Sequence, residues 1–418
     1  MSQTSEPPPR QILLQKKDHL PHDIALNILA NLPVKSVLRF RCVSKTWDSS
    51  ITTPDFISTH LNLNNNNNNN NLAYLIHVYS DPIIPSNTTI PSFISGYDHT
   101  FNRISEYPIP SSFFPSHYSY PADSCNGLVC FTNHKNLPTN AGAIYLWNPS
   151  IRKLKRLPGF SQTQYLSFCT GFAYQSNTND FKVVKISQMP GMKTEAEVYT
   201  LSSNSWRRVE ISLANTVLGL PPDNPTATFV SGALHWLGNV VEGASLFMIL
   251  SFNVNNDKFG EIALPHAQQQ QLLPQGVMAK INRLMVFKGK LAFITLGYLR
   301  FEDANLDEYN DFMTSHTPRS CFIWVMGEYG VHESWSKLFF VQFENVLSVR
   351  FFGCPSRGEL LVIKELNPES NTERRFTVVS LDLETSREKD LGFQKVPDIA
   401  TTFMESLVLL DGATELSG

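Results

Sequence analysis

The sequence is poor in charge, in paired cysteines and in long apolar runs. Charged residues make up 17% of its 418 residues and the formal net charge is −3. This balance argues against a nucleic-acid or acidic-membrane partner, because both need a strongly positive field. None of the six cysteines forms a CxxC pair, so no zinc ribbon or RING-type zinc domain is predicted. No stretch approaches the roughly 20 apolar residues that cross a bilayer.

Catalytic signatures are also missing. The sequence contains no GxSxG, HExxH, P-loop or GxGxxG motif, and its carboxylates are dispersed among predicted turns. His235 lies in an apolar strand, where a hydrogen-bonded core histidine is the expected role. We therefore predict no catalytic residue, no metal site and no cofactor. The first residues lack the apolar stretch of a secretory signal, so we expect an intracellular protein, cytoplasmic or nuclear.

A tract of eight asparagines, residues 64–71, divides the chain. Such a tract buries no apolar area and competes for its own backbone hydrogen bonds, which indicates a linker. Apolar spacing is helical before the tract, whereas short alternating strands follow it. The prediction is a disordered leader, a helical domain, an Asn-rich linker, a β domain and a tail, with boundaries at 1–17, 18–61, 62–71, 72–410 and 411–418.

The helical segment is short and has few polar positions. Residues 24–32 read IALNILANL, in which only Asn27 and Asn31 are polar, so nearly every side of this helix needs to be covered. A segment of about 45 residues without a metal or a disulfide lies near the lower limit of independent stability. We expect a second polypeptide to cover the apolar surface. The alternative is that the following domain of the same chain covers it.

Three parts of this segment match the residue spacing of a known motif. They are Leu20-Pro21-His22-Asp23-Ile24, the run LPVKSVLRFRCVSK from Leu32 to Lys45, and Trp47. Together they closely resemble the plant F-box motif. The resemblance implies docking onto a Skp-type adaptor and, through it, onto a cullin-based SCF ubiquitin ligase. The residues to which it assigns adaptor contacts are Leu20, Pro21, Ile24, Ile28, Leu29, Leu32, Pro33, Leu38, Val43 and Trp47. The basic side chains Lys35, Arg39, Arg41 and Lys45 are expected to form a solvated face.

The residues beyond the tract repeat a pattern of short strands. A glycine followed by an apolar strand recurs in NGLVCF, SGALHWL, KGKLAFI and RGELLVI. Two further strands follow at a period near 50 residues, which is typical of a β-propeller. At that period residues 72–410 provide about six blades. The segment FMESLVLL, residues 403–410, is expected to close the ring against the strand near residue 75. A β-sandwich with long loops is the competing architecture.

Motifs in the β part occur in a fixed order. They are SCNGLVC at residues 124–130, Trp147-Asn148-Pro149, GFAY at 171–174, GALHWL at 232–237 and ESLV at 405–408. This order resembles the plant F-box-associated domain, sometimes labelled kelch-like, although the double-glycine signature of true kelch repeats is missing. The expected fold class is an α+β multidomain protein. It has a small all-α F-box of three short helices and then a mainly β domain, a β-propeller of about six blades.

The two resemblances imply a non-catalytic subunit that recognises a substrate for ubiquitination and proteasomal degradation. The F-box binds the adaptor, and the β domain binds an unidentified target protein. Cys42, Cys125 and Cys130 are not placed to carry ubiquitin as a thioester. One alternative is a β-propeller enzyme or sugar-binding lectin, and another is a scaffold with no ligase role.

The target contacts are not readable from the sequence. Residues 303–318 and 268–275 form two candidate loops; both can simply be solvated insertions, the interpretation that we favour for the glutamine-rich residues 268–275. Trp206, Trp236 and Trp335 recur at strand ends, where we expect them to pack between blades. Their alternative role is to line the mouth of a ligand site.

Overall fold

A computed structural model gives the three-dimensional structure of the chain. It describes residues 20–67, 73–78, 92–98, 101–109, 119–133, 143–159, 167–189, 193–211, 218–219, 226–240, 246–265, 277–299, 319–344, 346–353, 358–366, 375–393, 397–410 and 414–415. The predicted leader and both candidate target loops lie outside these ranges.

The first described residues form four helices rather than the three that we predicted. The helices are α1 (His22–Ala30), α2 (Val34–Arg41), α3 (Lys45–Ile51) and α4 (Pro54–Asn67). Ser44 caps α3 as its side-chain oxygen accepts a hydrogen bond from the Trp47 N–H at 3.2 Å. α4 continues into the asparagine tract, so the predicted linker begins too early. Asparagine costs at most about 0.7 kcal/mol per residue relative to alanine in a helix, which permits a packed helix to propagate into the tract.

The remaining described elements are strands, apart from one 3₁₀ turn at His332–Ser334. The first thirteen strands are β1 (Ala73–Val78), β2 (Ser92–Tyr97), β3 (Arg103–Ile109), β4 (Ser119–Cys125), β5 (Leu128–Asn133), β6 (Ala143–Asn148), β7 (Lys153–Arg156), β8 (Ser167–Gln175), β9 (Asp180–Gln188), β10 (Thr194–Thr200), β11 (Ser205–Val209), β12 (Leu218–Gly219) and β13 (Thr228–Val230). The others are β14 (Ala233–Val240), β15 (Leu246–Asn253), β16 (Lys258–Ile262), β17 (Val277–Phe287), β18 (Lys290–Leu299), β19 (Arg319–Met326), β20 (Trp335–Phe343), β21 (Val346–Gly353), β22 (Glu359–Leu366), β23 (Arg375–Asp382), β24 (Arg387–Asp390), β25 (Pro397–Phe403) and β26 (Thr414–Glu415).

These strands form six antiparallel sheets that follow one another along the chain. Their orders are β25-β1-β2-β3, β26-β7-β6-β5-β4, β11-β10-β9-β8, β12-β14-β15-β16 with β13 also on β14, β17-β18-β19-β20, and β21-β22-β23-β24. Each sheet contacts the next, mostly through the strand at one edge, and the last contacts the first. The sheets therefore stand in a closed ring. β26 falls within the predicted tail, which is thus partly structured.

The ring closes by pairing β25, near the end of the chain, with β1, the first strand of the β domain. β25 pairs with β1, with Phe403 opposite Ala73 and Thr401 opposite Leu75. The predicted partner near residue 75 is confirmed, but the closing strand precedes the segment that we predicted and shares only Phe403 with it. Residues 404–410 form no strand.

Three of the four recurring glycines lie in the two-residue turns of β-hairpins. Asn126-Gly127, Ser231-Gly232 and Lys288-Gly289 each connect two paired strands, and both residues of each turn have positive φ. This is the geometry of a type I′ turn, whose twist matches that of the strands and which favours glycine. The repeated glycine in the sequence is therefore a signal for a hairpin.

Tryptophans join neighbouring sheets, as the sequence predicts. The indole N–H of Trp206 donates to the Pro158 carbonyl at 2.9 Å, that of Trp236 to the Thr170 carbonyl at 3.1 Å, and that of Trp335 to the Ala263 carbonyl at 3.0 Å. In each case the acceptor belongs to the preceding sheet or to the residues directly after it. The rings pack in the apolar clusters between sheets, so they combine burial with a satisfied donor.

Candidate functional site

The four helices enclose a small apolar cluster on the side that faces the β domain. Its buried members are Leu29, Ala30, Val34, Val37, Ile51, Phe56 and, from the other end of the chain, Leu407. Ile151, in the turn between β6 and β7, packs against the same cluster. The alternative that we kept open, cover by the same chain, is therefore correct for this inner side.

Residues 404–410, here called the C-terminal strap, attach the helices to the ring. The Glu405 carboxylate accepts a hydrogen bond from the Val34 N–H at 2.9 Å. Val34 is the first residue of α2, where a backbone N–H has no partner within the helix and a negative charge is favourable. Two residues later, Leu407 is 4% exposed within the helical cluster. Polar and apolar contacts of the strap thus hold the same helices.

The other side of the strap is fixed to the second sheet of the ring. The Asn148 side-chain amide, which is fully buried, donates to the carbonyls of Ser406 at 3.1 Å and Val408 at 2.9 Å. The Ser406 N–H donates to the Ser150 hydroxyl at 3.0 Å. Gly127 leaves room for the strap, since a Cβ there would lie 2.9 Å from the Met404 carbonyl oxygen and closer still to the Ser406 side chain. Gly127 and Asn148, both in motifs singled out from the sequence, therefore position the strap on the ring.

His60 of α4 fastens the turn between α1 and α2. Its Nε2 lies 2.9 Å from the Leu32 carbonyl oxygen, which can only accept, so Nε2 carries the hydrogen. Burial lowers the pKa of His60, against the opposing effects of the Leu32 carbonyl and the nearby Glu405 charge. A neutral imidazole is sufficient for this hydrogen bond. The α1–α2 turn is thus held from inside the helical domain.

The outer side of the helices exposes large apolar side chains. Leu20, Ile24 and Ile28 recur at every fourth residue and are 55%, 44% and 52% exposed. Phe40 and Val43, at the end of α2 and just after it, are 36% and 64% exposed. We call these five residues the docking face. Such a concentration of exposed apolar side chains on a small domain is typical of an interaction site.

Trp47 links the start of α1 to Phe40 of the docking face. Its ring centroid lies 5.6 Å from that of His22 at the start of α1 and 6.1 Å from that of Phe40. The His22 ring also bonds the Ser50 hydroxyl at 2.9 Å, and Arg41 pairs with Asp48 at 2.7 Å. These contacts hold α1, α2 and α3 in a fixed arrangement, so the face is preformed.

The ten residues predicted to contact an adaptor divide between the two sides. Leu20, Pro21, Ile24, Ile28, Pro33 and Val43 are exposed, whereas Leu32, Leu38 and Trp47 are half-buried. Leu29 is 3% exposed and belongs to the inner cluster, so its assignment to a surface contact is corrected. The sequence prediction missed Phe40, although its spacing of three residues before Val43 marks the same side. Arg41 is half-buried in its pair with Asp48, while Lys35, Arg39 and Lys45 are exposed.

His235, Cys125 and Cys130, also singled out from the sequence, lie inside the β domain. His235 is fully buried, with Nδ1 3.0 Å from the Thr228 carbonyl oxygen and Nε2 2.8 Å from the Tyr329 hydroxyl, so the predicted core role is confirmed. Burial raises the pKa of Cys125 to about 12 and also raises that of Cys130. Such thiols stay protonated and are poor nucleophiles.

No group of three or more His, Cys, Asp or Glu side chains in the described ranges is placed to hold a metal ion. No helix among the same residues is long and apolar enough to cross a membrane.

Comparison with known proteins agrees with both domains. Residues 18–59 match the F-box domain, and residues 87–410 match the F-box associated beta propeller domain. From Arabidopsis thaliana, F-box protein CPR1 is 25% identical over 93% of this chain and 89% of its own length. F-box/kelch-repeat protein At3g23880 is 26% identical over 77% of this chain and 79% of its own length.

Further similarities are more limited. A third Arabidopsis thaliana sequence, At1g47790, is 29% identical, and the match spans 61% of this chain and 61% of that protein's length. Among solved structures, Bombyx mori GH32 beta-fructofuranosidase BmSUC1 is 11% identical with a TM-score of 0.36, over 66% of this chain and 62% of that chain. The matches to both domains cover most of the chain in the order in which the structure places them. The chain is a member of the F-box associated beta propeller domain family and carries an F-box domain before it.

Proposed function

We propose that the chain is the substrate-recognition subunit of an SCF ubiquitin ligase. In this proposal the F-box binds a Skp-type adaptor, and through it a cullin, while the β domain binds a target protein that is then ubiquitinated and degraded. The observation that carries the proposal is the docking face, which remains exposed although the opposite side of the same helices is packed against the β domain. The named relatives, F-box proteins of a plant, support it.

The docking face has the chemistry of a protein–protein interface core. Apolar side chains fixed by an aromatic neighbour form the part of an interface that contributes most of the binding energy, and the exposed basic residues of α2 form a polar rim. Docking is expected to bury on the order of 1,600 Å² in total. Half-exposed Leu20, Ile24 and Ile28 are the expected anchors.

The C-terminal strap supports a role for the chain as a spacer between two partners. It holds the F-box on the ring through Glu405 and Leu407, so an adaptor on the docking face and a target on the β domain would be kept at a fixed distance. Fixed geometry raises the effective concentration of the target near the transfer machinery. The chain itself needs no catalytic group, because the transfer chemistry takes place on its partners.

Several finer points belong to the same proposal. The six sheets are the six blades of one propeller, and the F-box spans residues 18–61. The target binds through loops of the β domain, where sequence varies without disturbing the sheets. The protein acts in the cytoplasm, the nucleus or both.

Substitution of Ile28 by aspartate tests the adaptor interaction. We expect Ile28→Asp to reduce co-purification of a Skp-type adaptor at least about tenfold, because an unpaired charge would be buried at an apolar interface. Asn27→Asp, exposed on the same helix, is the matched control and is expected to retain the adaptor. Circular dichroism and thermal unfolding establish that both variants are folded. Adaptor retention by folded Ile28→Asp at the wild-type level would contradict the proposed docking face.

A further inference from the structure

The outermost strands of the sheets differ in how they are protected against pairing with another chain. β11, β16 and β24 are five, five and four residues long and carry charged side chains at exposed positions, such as Arg207, Lys258 and Lys389. Short, charged edge strands are a common way of preventing association of sheets. β20 has nine residues, reads WSKLFFVQF and contains a single charge. It is the exception among these edges.

β20 exposes two large apolar side chains, and one of them packs against a buried ring. Leu338 and Phe340 are 50% and 53% exposed. The Phe340 ring lies 5.0 Å from the ring of Phe322, which is 2% exposed, and Lys337 Nζ lies 4.4 Å from the same ring. Among the described residues β20 pairs only with β19, so one edge of its backbone is open to a further strand.

The register of β20 determines which side chains share a face. Lys337 lies opposite Trp324 and Phe340 opposite Phe322, while a shift in register between them leaves Leu338 as an extra residue. Beyond this bulge the strand alternates regularly, so Gln342 follows on the face of Phe340. Glu344 is the residue directly after β20, and the same alternation continued by one residue places it on that face. Lys337 and the exposed Glu344 therefore mark the two ends of one face.

This pattern is complementary to itself. When two β20 strands are placed antiparallel about a two-fold axis at Val341, Phe340 lies opposite Gln342 of the second copy. Because Leu338 is an extra residue in the bulge, Lys337 occupies the position that residue 338 would have in a regular strand. Lys337 therefore lies opposite Glu344 of the second copy at both ends, and no like charges meet. Opposite charges across a strand pair stabilise it, whereas like charges destabilise it. An isologous contact of this kind closes as a dimer and does not extend further.

We propose that the protein self-associates through β20, which pairs antiparallel with β20 of a second copy of this chain. The pairing joins two four-stranded sheets into one continuous sheet and covers Leu338 and Phe340. Self-association through β20 goes beyond the proposed function, since it uses a strand of the β domain and none of the docking face. Its consequence is an assembly with two docking faces.

Charge reversal tests the proposed pairing. Sedimentation velocity of the full chain across a concentration series is expected to show a monomer–dimer equilibrium. Lys337→Glu and Glu344→Lys should each weaken the dimer about tenfold or more, because each places two like-charge pairs in the interface. The double variant Lys337→Glu/Glu344→Lys restores opposite charges and is expected to dimerise as the wild type does. Lys258→Glu, exposed on the edge strand β16, is the control and should leave the equilibrium unchanged.

Three results would overturn the proposal. They are a monomeric wild type at all concentrations, single charge reversals that leave the dimer unchanged, and a double variant no better than the single ones. A wild-type monomer that instead binds an extended peptide along β20 would assign this edge to a target and not to a second copy. Thermal unfolding of each variant shows that the fold is retained. Adaptor co-purification, measured in parallel, separates failure of this proposal from failure of the docking face.

Discussion

Ile28 and Leu29 are consecutive in α1, yet 52% of Ile28 and 3% of Leu29 are exposed. The helix turns by about 100° between neighbours, so one side chain reaches the docking face and the other the inner cluster. Replacement of Leu29 by a charged residue would bury an unpaired charge and unfold the helices. A loss of adaptor binding in that variant would carry no information on the interface.

His235 provides a test at the scale of a single residue. Burial lowers its pKa to about 4, below the ordinary value of 6.5 for an exposed imidazole. The imidazole is neutral in both the folded and the unfolded chain above pH 6.5, so its stabilising hydrogen bonds are complete there. As the pH falls from 6.5 towards 4, the unfolded chain binds a proton that the folded chain does not, and stability decreases.

The expected contribution of His235 to this loss is about 3 kcal/mol in the free energy of unfolding. Denaturant unfolding of wild type and His235→Gln between pH 7 and pH 4 measures it, and the variant should show the shallower dependence. Tyr329→Phe removes the hydroxyl but leaves the imidazole buried, so its dependence should stay as steep as that of the wild type. Parallel curves for wild type and His235→Gln would show that His235 is not the titrating group.

At the scale of elements, α2 begins at a carboxylate from the far end of the chain. Glu405→Ala removes the acceptor for the Val34 N–H and is expected to destabilise the start of α2 by about 1 kcal/mol. Glu405→Gln keeps an acceptor and loses only the charge, so a smaller effect is expected. Hydrogen–deuterium exchange at residues 34–37 measures both. Equal protection in wild type and Glu405→Ala would exclude this capping role.

At the scale of the whole molecule, Leu407 links the F-box to the ring. Leu407→Ala should leave a cavity in the helical cluster at a cost of about 2–5 kcal/mol. Because the sheets keep their own clusters, we expect faster exchange in α1–α4 with little change in β4–β24. Leu409→Ala, at an exposed strap position, is the matched control. Equal loosening of helices and sheets would show that the two parts unfold as one unit.

Local chemistry made much of the fold predictable. The recurring glycines marked the repeat of strands, and Trp206, Trp236 and Trp335 indicated packing between sheets because each needs burial and an acceptor. The extent of α4 was not predictable. Propensity favours ending a helix at asparagine, and only the packing of its first part extends it to Asn67.

The amino-acid sequence by itself determined the two domains, the hairpin turns, the F-box register and the need of the helices for apolar cover, because each depends on neighbouring residues. Tertiary structure alone decided which side of α1 is covered. The contacts responsible join residues far apart in the chain, Val34 with Glu405 and Asn148 with Ser406 at separations of 371 and 258 residues. No local pattern encodes such pairs, since they form only when ring closure by β25 brings the strap beneath the helices.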